Sequence, residues 1–85
     1  MTLTVLYFGE LREQINLSHE SLEFSDQALT VEKLLAHLIA RGAPWSLALG
    51  SEEPLRIAIN QEMAQRSTTV PPQAEVAFFR PVTGG

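Results

Sequence analysis

The sequence closes on Pro81-Val82-Thr83-Gly84-Gly85, and this stretch holds the residues whose types and placement could do chemistry. Glycine lacks a Cβ, so a Gly-Gly stem can thread a channel too narrow for any other residue. Five extended residues reach on the order of 17 Å. A carboxylate on Gly85 would stand clear of a folded body and could enter another protein's active site. Such a carboxylate is a poor electrophile until it is activated. Adenylation would turn it into an acyl-adenylate, and sulfide displacing AMP would leave a thiocarboxylate, a soft nucleophile held covalently yet transferable. No step in that sequence needs a side chain from this chain. The plain alternative is a frayed end with no role.

Other catalytic constellations do not form. His19 and His37 are the two histidines, and neither has an acidic or cysteine neighbour at a ligand spacing, so no metal site is expected. No G-x-S-x-G, G-x-G-x-x-G or G-x-x-x-x-G-K-[ST] pattern occurs, which argues against a serine nucleophile and against nucleotide binding by the chain itself. Glu52 and Glu53 read as solvated loop charges, and Glu10 and Glu13 as decoration of an exposed helical turn. There is no cysteine, which removes thiol chemistry and fits a cytoplasmic location. A carrier or binding module suits this inventory better than a self-sufficient enzyme.

The bulk properties point the same way. Eighty-five residues, 45% hydrophobic and 19% charged, make one ordinary folded domain with a modest core. The net charge is −4, and the basic residues Arg12, Lys33, Arg41, Arg56, Arg66 and Arg80 are scattered. Nucleic acid is therefore not an expected partner, because backbone binding needs clustered positive charge. No apolar run approaches the roughly 20 residues that span a bilayer, and the start of the chain has no signal-peptide pattern.

The elements that must present the tail can be read from hydrophobic spacing. Leu3 to Phe8 predicts a strand with Leu3, Val5 and Tyr7 on one face and Leu6 and Phe8 on the other. Gly9 breaks it, and Glu10 to Ile15 predicts a short helix with Leu11 above Ile15. Ser18 to Phe24 predicts a returning strand. Val31, Leu34, Leu35, Leu38 and Ile39 form one helical stripe, with Thr30 as N-cap, Leu29 as a staple to Leu34 and Gly42 at a left-handed C-cap. Residues 44–54 read as a connection pinned to the core by Trp45, Leu47 and Leu49. Leu55 to Asn60 predicts a strand, Asn60-Gln61-Glu62 a turn, Met63 to Gln65 a short return strand, and Glu75 to Arg80 the last strand. The expected fold is α+β, a mixed sheet covered on one face by a single main helix, with the β-grasp (ubiquitin-like) architecture as the candidate. Residues 1–80 are expected to form the domain and 81–85 a flexible tail. One helix covers one sheet face, so Phe8 and Phe79, opposite Tyr7 and Phe78, are either left for a partner or covered by loops.

Val5 to Glu13 ("VLYFGELRE") and Glu75 to Gly85 ("EVAFFRPVTGG") resemble the signatures of molybdopterin synthase small subunits, the MoaD type within the ThiS/MoaD sulfur carriers. "RGAPWSLAL" (Arg41 to Leu49) and "AINQ" (Ala58 to Gln61) extend the resemblance over essentially the whole chain. Two departures stand out: Arg80 occupies a position where the family commonly has Pro, and Gln73-Ala74 replaces a Gly-Asp turn. The resemblance implies a β-grasp fold and a sulfur-donor subunit whose partner supplies the active-site side chains. It implies that an E1-like adenylyltransferase uses ATP to activate Gly85, which then carries covalent sulfur, with no cofactor bound by this chain. The tail Pro81, Val82, Thr83 and Gly84 would thread into the large subunit of a heterotetramer and donate sulfur to cyclic pyranopterin monophosphate, in molybdenum cofactor biosynthesis. Phe8, Arg12, Met63, Phe79 and Arg80 would face partners. Sulfur carriage for thiazole or tRNA thiolation, and a ubiquitin-like interaction module with an inert tail, remain the alternatives.

Overall fold

The computed structural model of the chain describes residues 1–25 and 28–81. Strand β1 (Thr2–Tyr7) buries Leu3, Val5 and Tyr7 and leaves Thr4 and Leu6 half-buried, the alternation expected of a pleated strand with one face on a core. Gly9, at a φ of +54°, turns the chain into α1 (Gly9–Ile15), which sinks Leu11 and Ile15. The helix ends on Asn16, left-handed at φ 62°, where a short polar side chain is tolerated. Strand β2 (His19–Glu23) returns antiparallel to β1.

The main helix α2 (Val31–Ile39) has the expected bounds and buries Val31, Leu34, Leu35 and Leu38. Thr30 caps it, accepting from the Lys33 N–H at 3.2 Å. Two more first-turn amides are satisfied from outside the helix: Val31 N–H donates to Thr68 O and Glu32 N–H to Arg66 O. The C-terminal signal is displaced from its expected place. The cap is Ala40 in right-handed geometry, and the left-handed residue, Gly42 at φ +88°, lies two residues further on.

The connection after α2 is a finding that the sequence pattern did not predict. Residues 45–49 form a short helix, α3 (Trp45–Leu49). Helical spacing turns Ala48 and Leu49 inward and Leu47 outward, so Leu47 is 74% exposed and does not pin the segment. Gly50 follows α3 because a Cβ there would lie 2.5 Å from the Ser46 carbonyl oxygen.

Strands β3 (Arg56–Ile59) and β4 (Glu62–Ala64) form a hairpin with Ile59 opposite Glu62. Asn60 and Gln61 both have positive φ, 50° and 70°, the backbone of a tight two-residue turn matched to strand twist. Strand β5 (Glu75–Phe79) lies in the middle of the sheet, parallel to β1 and antiparallel to β3. The order is β2-β1-β5-β3-β4. Register aligns Tyr7, Phe78 and Ile57, and Val5, Val76 and Ile59, on the core face, where they share one cluster with α1, α2 and α3. The expected α+β arrangement is what forms, a mixed sheet with its helices packed into a single core.

A polar cluster closes one end of that core. Tyr7 OH donates to Glu20 Oε2 at 2.7 Å, and Trp45 Nε1 donates to Tyr7 OH at 3.2 Å. Arg41 pairs with Glu20 at 2.8 Å and lies over the Trp45 ring, 4.7 Å from its centroid. The cluster ties β1, β2 and the two ends of the α2–α3 connection together.

Candidate functional site

The sheet face away from the core cluster is built from alternate residues of the same strands. Register sets Leu6, Ala77, Ala58 and Met63 in one row across four strands. The middle of the row is two alanines, so the surface there is shallow and a partner's backbone could approach closely. Bulky groups stand around it. Met63, on the edge strand β4, is 63% exposed, and Phe8, between β1 and α1, is 49% exposed. Phe79 is half-buried beside Arg56.

The described chain leaves the domain beside this face. Phe8, Gly9, Glu10, Phe79, Arg80 and Pro81 line a cleft of about 410 Å³ at the point where β5 ends. The structure therefore brings together four of the residues singled out from sequence: Phe8, Phe79, Arg80 and Pro81. Arg12 is exposed on α1 and Met63 lies on β4, both outside the cleft lining. Val82, Thr83, Gly84 and Gly85 lie outside the described residues.

Arg80 is arranged in a way that sequence spacing could not reveal. Its side chain is 10% exposed and turns inward. Nη2 donates to Ala48 O at 2.7 Å and Nη1 to Pro54 O at 3.3 Å. Nε lies 3.1 Å from Glu53 Oε2 and 3.9 Å from Glu10 Oε1. That Nε makes no hydrogen bond, so the two carboxylates act on it as charge only. Both are more than half exposed, where solvent screening leaves an ion pair little strength. The two carbonyl bonds hold the guanidinium in place.

The arrangement offers an exposed face and a chain exit, and no nucleophile–base pair forms among the described residues. Among the described residues no group of three or more His, Asp or Glu side chains is placed to hold a metal ion. None of their helices is long and apolar enough to cross a membrane.

Comparison with known proteins then settles the lineage. The model of the ThiS family matches residues 5–85. The chain belongs to the ThiS family. This ThiS-family chain is 39% identical over 83 residues to the molybdopterin synthase sulfur carrier subunit of Haemophilus influenzae, covering 98% of this chain and 99% of that one. It is 36% identical over 83 residues to the subunit of the same name from Escherichia coli, with the same coverage. Among solved structures, SAMP1 from Haloferax volcanii superposes with a TM-score of 0.78 at 22% identity, each chain wholly covered. A chain from the complex of subunits 1 and 2 of the molybdopterin-converting factor of Helicobacter pylori superposes with a TM-score of 0.69 at 21% identity, again over all of both chains. These structural neighbours establish the ubiquitin-like β-grasp fold for this ThiS-family member.

Proposed function

We propose that this chain is the sulfur-carrier subunit of a molybdopterin synthase. The observation that carries the reading is the near-complete coverage of two sulfur-carrier subunits at 39% and 36% identity, together with a family match that runs to Gly85. The domain supplies a face and an exit, and the reactive group is the Gly85 carboxylate.

On this reading an E1-like enzyme uses ATP to adenylate Gly85, releasing pyrophosphate. Sulfide attacks the acyl carbon, expels AMP and leaves a thiocarboxylate. The open face, with Phe8, Met63 and Phe79 around the alanine row, docks on the large subunit. Arg12 adds a charged contact from α1, and residues 81–85 enter the partner's active site. The thiocarboxylate sulfur attacks an oxygen-bearing carbon of cyclic pyranopterin monophosphate, and the new carbon–sulfur bond replaces a carbon–oxygen bond whose oxygen leaves with the electron pair, as water or as phosphate. Water then cleaves the resulting thioester, leaving the sulfur on the pterin and restoring the carboxylate. Two small and two large subunits make the working assembly.

Intact mass after incubation with ATP, the activating enzyme and a sulfur source tests the first half. The expected product is heavier by the replacement of one oxygen with sulfur, and a variant lacking Gly85 stays unmodified. An unmodified wild-type chain beside an activating enzyme proven on another carrier would overturn the proposal. Sulfur transfer to a thiazole or tRNA acceptor, and none to the pterin, would move the chain to a different pathway.

A further inference from the structure

Arg80 is the junction between the sheet and the tail. Phe79, just before it, is held in the ladder opposite Arg56, and Pro81 follows. A residue before proline is confined to extended backbone, and the proline ring fixes the next φ. Few torsions are then left to decide where the chain points as it leaves β5. The Arg80 guanidinium removes freedom from those that remain. Its two carbonyl acceptors belong to separate segments, Ala48 in α3 and Pro54 before β3. A planar fork that satisfies both has one orientation.

We propose that Arg80 is a positioning residue that fixes the direction in which the chain leaves β5 as far as Pro81, the root of the tail, an inference that rests on the carrier reading. It acts through the backbone of the tail root and touches no substrate. A reactive end delivered along a fixed line meets a partner's site at a higher effective concentration than one that swings about a loose root. Proline at position 80 would restrict the same torsions covalently, with no side-chain anchor.

The test compares wild type, Arg80→Ala and Arg80→Pro, each loaded as thiocarboxylate and assembled with the large subunit. Two quantities are read: the single-turnover transfer rate at saturating large subunit, and the dissociation constant of the complex. Arg80→Ala is expected to slow transfer about tenfold while changing the dissociation constant less than about twofold. Arg80→Pro is expected to restore the rate to within about threefold of wild type. Wild-type transfer by Arg80→Ala, or parallel losses of rate and affinity, overturns the proposal. So does an Arg80→Pro variant as slow as Arg80→Ala, or an Arg80→Ala domain that no longer folds, which would make the side chain a part of the core. Residual dipolar couplings of the Pro81 Cα–Hα bond in the free domain give a readout without sulfur. They should shrink in Arg80→Ala and persist in Arg80→Pro, and couplings unchanged in Arg80→Ala overturn the inference. A wild-type chain that carries no sulfur defeats the carrier reading instead, and the couplings still decide the role of Arg80.

Discussion

The Tyr7 hydroxyl donates to the Glu20 carboxylate across the β1–β2 pair at 2.7 Å, joining the two strands that form one side of the sheet. Tyr7→Phe removes that donor and leaves Trp45 Nε1 without its acceptor. The expected cost is about 1–2 kcal/mol, since a half-buried partner loses its acceptor as well as a bond being lost. Chemical denaturation of the variant measures it.

The same cluster sets a pH dependence. Burial pushes the Tyr7 hydroxyl well above the ordinary phenol range, and the adjacent Glu20 carboxylate adds to the shift. For Glu20 burial acts upward, but hydrogen bonds from Arg41 and Tyr7 outweigh it and hold the carboxyl below its usual pKa. A lowered folded-state value means that Glu20 stabilises the fold above about pH 4.3 and loses that contribution as pH falls. A raised Tyr7 value means a contribution present below about pH 10 and lost as pH rises past it. Stability measured against pH should fall at both ends, and Glu20→Gln should flatten the acid limb.

Helix α3 makes a contrast between two neighbouring leucines. Leu49 is 3% exposed and Leu47 is 74% exposed. Leu49→Ala should cost about 2–5 kcal/mol by leaving a cavity. Leu47→Ser should stay within about 0.5 kcal/mol of wild type. Equal costs would mean that the segment is not helical.

The β3–β4 turn carries an avoidable strain. Gln61 sits at φ 70°, where a side chain is disfavoured. Gln61→Gly should stabilise the domain by about 1 kcal/mol, read as a raised melting temperature.

Docking is tested on the exposed aromatic. Phe8→Asp, at a site 49% exposed, should leave the domain folded, and, on the proposed carrier function, pairing it with Phe79→Asp should weaken binding to a synthase large subunit by about 2 kcal/mol or more. Titration calorimetry reads the affinity, and circular dichroism of the double variant shows whether the fold survives.

What could be read from sequence followed from periodic patterns. Helix α2 announces itself through five apolar residues at helical spacing and a threonine cap, and β1 and β5 through short β-branched and aromatic runs with apolar residues on both faces. Helix α3 escaped because five residues between Pro44 and Gly50 are too short to show a period, while Trp45, Leu47 and Leu49 mimic strand alternation. The terminal glycines stand out by residue type alone. The inward turn of Arg80 left no trace, because its acceptors are backbone carbonyls 32 and 26 residues away, and any residue at those positions would offer the same oxygen. The Tyr7–Glu20–Arg41–Trp45 cluster was hidden for a related reason: four segments supply one member each.

The central place of β5 has a consequence for biosynthesis. Val5 pairs with Val76, so the first strand made waits for the last before the sheet can close. Until then β1–β2 and β3–β4 are separate strand pairs, each too small to persist in water. A chain in which β5 is not in place therefore lacks the finished face, and a partner that recognises that face binds only the closed sheet.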